Sequence, residues 1–95
     1  VVLCRDCLVH LSFLDAIKAL NAIQSMGARY VILTSYPGLK EQADIVTGQW
    51  RPLNMQLAPF NLAPPLMCLR EGEPIEAIGH KTLCVYKLPD MSLKI

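Results

Sequence analysis

Two short runs of continuous apolar residues, Val1-Val2-Leu3-Cys4 and Tyr30-Val31-Ile32-Leu33-Thr34, bracket a stretch of helical periodicity. Continuous runs of this kind suit strands covered on both faces, as in parallel sheets. Between them, Ser12 followed by Asp15 resembles a capping box, with Asp in place of the preferred Glu or Gln. Phe13, Ala16, Ile17, Leu20 and Ile23 recur on one helical face, while Asp15, Lys18 and Gln24 fall largely away from it. Gly27 supplies a stop, because glycine takes the left-handed conformation without steric cost. Strand, helix and strand in this order predict a βαβ unit with parallel neighbouring strands and a right-handed crossover.

Pro37-Gly38 breaks the pattern, and five of the seven prolines fall between Pro37 and Pro65. A long irregular stretch inside a compact domain is usually functional or disordered. Trp50, Phe60 and several leucines make this one too apolar for disorder. Residues 37–65 are therefore expected to form an ordered loop over the strand ends, with a helical turn near Lys40 to Asp44. Leu66-Met67-Cys68-Leu69 is a third strand candidate, Glu71 to Lys81 a polar turn or loose connection, and Thr82 to Leu88 a fourth strand. Two strands with no helix between them predict an antiparallel hairpin. Pro89 ends it, and Asp90 to Ile95 reads as a frayed tail.

The 95 residues suffice for one small domain, of which 53% are hydrophobic and only 18% charged. Soluble domains usually carry about a quarter charged residues, so the excess suggests surfaces buried on both sides or a face meant for a missing partner. A net charge of +1 leaves no electrostatic footprint for nucleic acid and no basic run for an anionic membrane. Arg5-Asp6 interrupts the first apolar run too early for a signal peptide. Without a secretory signal, Cys4, Cys7, Cys68 and Cys84 read as mostly buried thiols of a cytoplasmic protein. The chain opens inside a strand and not at Met, which points to an incomplete domain.

Residues 2 to 11, Val-Leu-Cys-Arg-Asp-Cys-Leu-Val-His-Leu, resemble the stretch of class I S-adenosylmethionine-dependent methyltransferases in which the fourth strand runs into a "cr-D-x-L-x-H-l" segment and a helix. The match continues through Ser12 to Met26, Gly27, and Arg29 to Thr34. Asp44-Ile45-Val46-Thr47-Gly48-Gln49-Trp50-Arg51-Pro52-Leu53-Asn54, then Pro59-Phe60 and Pro64, resemble the loop after the fifth strand in a bacterial-type branch of that superfamily. Ala43 stands where that pattern carries Asn. The resemblance covers nearly the whole chain and rests on the order and spacing of motifs that are individually of moderate specificity. It implies an α/β fold: part of a Rossmann-like methyltransferase sheet, with one parallel βαβ unit followed by an antiparallel C-terminal strand pair. The first three strands, with the glycine-rich turn and the ribose-binding acid, would be missing, so the partner of this half is the N-terminal half of the domain. The implied activity is transfer of a methyl group to an unknown acceptor, with the fragment alone inactive.

Ligands of open α/β sheets sit outside the carboxyl ends of the strands. By resemblance, Cys4, Arg5, Asp6 and His10 are the cofactor-side candidates. Asp6 would orient the cofactor amine or a donor of the acceptor; alternatively it caps a turn, with Arg5 as a solvated partner. His10 is either a general base, for which its near-neutral pKa suits it, or a structural residue bound to nearby backbone. Tyr36, Trp50, Arg51 and Asn54 are the acceptor-side candidates, since Trp offers apolar surface and Arg a planar fork; alternatively Trp50 anchors the loop to the core. His80 reads as solvent-facing. Methyl transfer needs alignment more than side-chain chemistry, because the sulfonium is already a good leaving group. Other classes stay open. Cys4-Arg5-Asp6-Cys7 invites a thioredoxin-type redox reading, though a lone C-x-x-C is weak. Zinc held by Cys4, Cys7 and His10 would need a fourth ligand from Cys68, Cys84 or His80. A non-catalytic remnant or interaction module is the main rival.

Overall fold

A computed structural model describes residues 1–75, 78–91 and 93. Its elements are β1 (Val2–Cys4), a short 3-10 turn (Leu8–His10), α1 (Phe13–Ser25), β2 (Tyr30–Ser35), β3 (Met67–Ile75) and β4 (Gly79–Lys87). The strands form one sheet in the order β1-β2-β4-β3. β1 and β2 are parallel, in register Val2↔Val31 to Cys4↔Leu33. The last strand in sequence lies antiparallel to β2, and β3 pairs antiparallel on its far side. The chain is thus a small α/β domain with a mixed sheet, and no helix among the described residues is long and apolar enough to cross a membrane.

The helix forms where its pattern predicts. Ser12 is the N-cap and accepts from the Asp15 amide at 3.1 Å. Asp15 does not reach back to complete the box; its carboxylate accepts from the Thr47 hydroxyl. Asp44 does the remaining capping from a distance, accepting the Phe13 amide at 2.8 Å, where the helix dipole favours a carboxylate. Gly27 follows with φ +89°, a conformation that would strain any other residue. Ala16, Ile17, Leu20 and Ile23 are buried, with Phe13 packed at the margin of the same core.

The two sheet faces differ sharply. Val31, Leu33 and Ser35 of β2 and Thr82, Cys84 and Tyr86 of β4 are buried, on the face covered by α1 and by Leu53, Met55, Phe60 and Leu62 of the long loop. The alternate positions Leu3, Ile32, Val85 and Met67 line up across all four strands. Leu3 and Met67 are 62% and 71% exposed, and Ile32 and Val85 between them are only half-buried. Ile32, Met67 and Val85, with Cys68, Leu69 and Leu83, bound an apolar depression of ≈ 350 Å³. Burial on both faces, anticipated from the continuous apolar runs, is therefore met on one face only.

Three local expectations are corrected. Lys40 to Asp44 form no helical turn; instead Gln42 bridges the Asn54 amide and the Ala58 carbonyl, and Asp44 accepts the Phe13 amide. β3 and β4 run well into the segment expected as a loose connection, because Glu71 and Lys81 face each other across the strands, where opposite charges are favourable; Glu76 and Ala77 of that segment lie outside the described residues. The expected frayed tail is tied to α1: Asn21 exchanges hydrogen bonds with the Leu93 backbone at 2.8 and 3.0 Å, and Gln24 donates to the carbonyls of Pro89 and Met91. Ser92, Lys94 and Ile95 of the tail lie outside the described residues.

Candidate functional site at the strand ends

The carboxyl ends of β1 and β2 meet the start of β4 and the middle of β3, and charged side chains collect there. Asp6, just past β1, has φ +53°, a left-handed conformation that Asp tolerates better than most residues. It is held by its amide, which donates to the Thr34 hydroxyl at 2.7 Å. Its carboxylate takes the Lys81 ammonium at 2.7 Å, with the Arg5 guanidinium 4.0 Å away. Arg5 also pairs with Glu71. Two carboxylates and two cations thus form a neutral, alternating cluster. The other Glu71 oxygen, Oε1, is buried without a hydrogen-bond partner among the described residues, and so is His80 Nδ1. Ion pairs this exposed contribute only about 0–1 kcal/mol, so stability alone is a weak reason for the cluster.

Tyr36 closes one side. It is buried, and burial pushes its hydroxyl above the ordinary tyrosine value; Lys81 acts in the opposite direction, while Asp6 and Glu71 add to the rise. Trp50 packs edge-on against Tyr36 with ring centroids 6.3 Å apart, leaving about half of its own surface, 48%, exposed. Arg5, Asp6, Tyr36 and Trp50 are therefore brought to one rim.

Arg51 and Asn54 are buried and turned inward, into the packing of the loop. Arg51 donates to the carbonyls of Ala43, Leu8 and Val9 at 2.8, 3.2 and 3.2 Å and lies over the Phe13 ring. Burial lowers its pKa, and Asp44 opposes the shift. Asn54 donates to the carbonyls of Pro37 and Leu39. The Asp44-to-Asn54 motif is thus a set of struts, completed by Thr47, which accepts the Ser12 amide, and Gly48, whose amide donates to the His10 carbonyl.

His10 belongs to the same framework. Its Nδ1 faces the Gln49 carbonyl at 3.1 Å; a carbonyl only accepts, so Nδ1 carries the proton. Cys4 is half-buried on the helix side of the sheet, and burial followed by the adjacent Cys7 pushes its thiol up to about 12. Such a thiol is a poor leading nucleophile towards an external disulfide, the role the first cysteine of a thioredoxin-type C-x-x-C must play, which weakens that reading. Among the described residues, no group of three or more His, Cys, Asp or Glu side chains is arranged to hold a metal ion. Contrary to expectation, Cys7 and Cys68 are exposed, and His80 is half-buried within β4.

Glu71, Lys81 and Thr34 escaped sequence reasoning as site residues. Glu71 and Lys81 lie in a stretch that reads as a polar turn, and only the pairing of β4 with β2 and β3 brings them to the strand ends near Arg5 and Asp6. Comparison of the chain with protein-family models, with curated proteins and with solved structures finds no match in any of the three.

Proposed function

We propose that this chain is the C-terminal half of a class I S-adenosylmethionine-dependent methyltransferase domain, and that the rim at Arg5, Asp6, Glu71 and Lys81 receives the methionine end of the cofactor. The observation that carries the reading is the alternating cluster at the carboxyl end of the parallel pair, with a buried Glu71 oxygen lacking a donor. The methionine end of the cofactor is itself a zwitterion. Its ammonium matches Asp6 and the unpartnered Glu71 oxygen, and its carboxylate matches Arg5 or Lys81. Bound cofactor would supply the reactive methyl group. The residues of this chain would orient it, while Tyr36 and Trp50 border the space left for an acceptor. The closing antiparallel strand pair beside a βαβ unit agrees with the sheet that the resemblance implies. We place the protein in the cytoplasm on its sequence character.

The test begins with the coding sequence upstream of Val1. A strand leading into a G-x-G turn, then an acid at the end of the next strand, is the expected finding. Calorimetry on that longer protein should show S-adenosylmethionine binding that weakens at least tenfold in Glu71→Gln and in Asp6→Asn; Asn keeps the tolerance for left-handed backbone. A reading frame that closes at Val1, or a longer protein that ignores the cofactor, refutes the proposal.

The uncovered face bearing Leu3, Ile32, Met67 and Val85 supports a second reading, a non-catalytic interaction module. Apolar patches of this kind mark association surfaces. A 95-residue chain that stays monomeric at high concentration in light scattering would count against it.

A further inference from the structure

Cys68 and Cys84 are direct partners across the antiparallel β3–β4 pair, and their sulfurs lie 2.9 Å apart. Directly opposed residues in such a pair have Cα atoms about 4.5–5.5 Å apart, inside the span that a disulfide bridges. The two thiols differ in access. Cys84 is fully buried, whereas Cys68 is exposed at the sheet edge. Cys68 also opens onto a groove of ≈ 320 Å³ shared with Pro37, Gly38, Arg70, His80 and Thr82. Arg70 gives that groove a cation suited to a carboxylate.

We propose that Cys68 and Cys84 form a reversible dithiol–disulfide couple that exchanges with a small anionic disulfide of the glutathione type entering at Cys68. The Cys68 thiolate attacks the small disulfide, whose S–S bond breaks; one small thiol leaves as thiolate and takes up a proton. Cys84 then releases its proton to solvent and attacks the Cys68 sulfur. The protein disulfide forms, and the second small thiol departs and is protonated. Two protein thiols are oxidised, and one small disulfide is reduced to two thiols. Burial, followed by the hydrogen bond to Cys68 and its charge, pushes the Cys84 thiol up to about 12, so the exposed partner begins the exchange and the buried one completes it. The bond would join β3 to β4 three residues from Glu71 and Lys81, whether or not the rim binds a cofactor.

The test is peptide mapping of the 95-residue chain after incubation with glutathione disulfide and acid quenching. The expected product is a peptide pair linked through Cys68 and Cys84 and released by dithiothreitol. Cys84→Ser should instead accumulate one glutathionyl group on Cys68. Cys68→Ser should leave Cys84 unmodified, because that thiol is closed to the reagent; this variant alters an exposed position and keeps the test valid should Cys84→Ser fold poorly. Both thiols remaining free, a lasting glutathionyl group on Cys68 of the unaltered chain, or a disulfide confined to Cys4 and Cys7 would overturn the proposal.

Discussion

Ser35 is the hinge pin between the sheet and the loop that carries Trp50, and its removal should have an effect that a second mutation partly reverses. Its hydroxyl oxygen accepts from the Tyr86 hydroxyl at 3.0 Å and from the Met55 amide at 3.1 Å. It also points at the Leu53 carbonyl, 3.5 Å away, which already accepts the Tyr36 amide at 2.8 Å. Ser35, Met55 and Tyr86 are all fully buried. Ser35→Ala therefore leaves two buried donors unpaired, each costing about 1–3 kcal/mol, for a loss of roughly 3 kcal/mol. Tyr86→Phe alone removes one donor and leaves Ser35 otherwise satisfied, at a cost of about 1 kcal/mol. In the double variant only the Met55 amide is stranded, so its loss should be about 2 kcal/mol, smaller than that of Ser35→Ala alone. Against a total stability of roughly 5–14 kcal/mol for a chain of this length, these differences are readily measured. Urea unfolding of all four proteins gives the double-mutant cycle. A Ser35→Ala midpoint equal to that of the unaltered chain, or a further loss on adding Tyr86→Phe, would refute the assignment.

Oxidation of Cys68 and Cys84, which are 16 positions apart, should raise the melting temperature by on the order of 10 °C if closing a loop of about 15 residues is worth ~3 kcal/mol; calorimetry with and without dithiothreitol measures it. Alkaline pH should destabilise the reduced protein. The buried Cys84 thiol titrates at about 12 in the fold against 9.0 when free, and burial raises the Tyr86 hydroxyl as well. Both groups are kept neutral by the fold, so their contribution is complete below about pH 9 and is lost as pH rises from there towards 12; a urea midpoint unchanged between neutrality and pH ~10 would contradict this. Asp44→Ala should cost about 1 kcal/mol by removing the acceptor at the start of α1. Arg51→Ala should cost roughly 2 kcal/mol or more through lost charge-assisted hydrogen bonds and packing on Phe13. Both are checked by denaturant unfolding, and their effects should be less than additive, because Asp44 and Arg51 brace the same loop.

Much of the fold was legible because local patterns agreed with one another. The Ser12 cap, the Ala16-Ile17-Leu20-Ile23 stripe and Gly27 each mark the same helix, and the flanking apolar runs are the two parallel strands. The antiparallel pair was legible as a pair but not in extent. Arg70, Glu71 and Lys81 look like loop residues when read singly, and their membership of strands depends on pairing across the hairpin, which a period count does not contain. The supposed turn at Lys40 to Asp44 failed for a related reason. Gln42 and Asp44 satisfy distant backbone groups, a tertiary use that overrides local preference.

The site divides along the same line. A motif dense in Asp, Thr, Trp, Arg and Asn invites a chemical reading, yet most of its polar atoms already have partners within the chain: Asp44 and Thr47 at the start of α1, Arg51 on the carbonyls of the 3-10 turn, Asn54 on those of Pro37 and Leu39. A long loop without regular structure must satisfy its backbone by side chains, and it needs just these residue types to do so. Among the described residues, the buried atoms that retain spare capacity are Arg51 Nη2 within the loop and, where the sequence looks plain, Glu71 Oε1 and His80 Nδ1 on paired strands. Spare capacity alone therefore does not separate a candidate rim from a strut; at Glu71 it counts because it lies at the strand ends with Arg5, Asp6 and Lys81, a placement visible only once the register is known. On that criterion Glu71→Gln is the more informative site variant. It removes a charge from the rim while Lys81 keeps its partner in Asp6, so the fold should lose less than about 1 kcal/mol, and a change in ligand affinity can then be read apart from a change in stability.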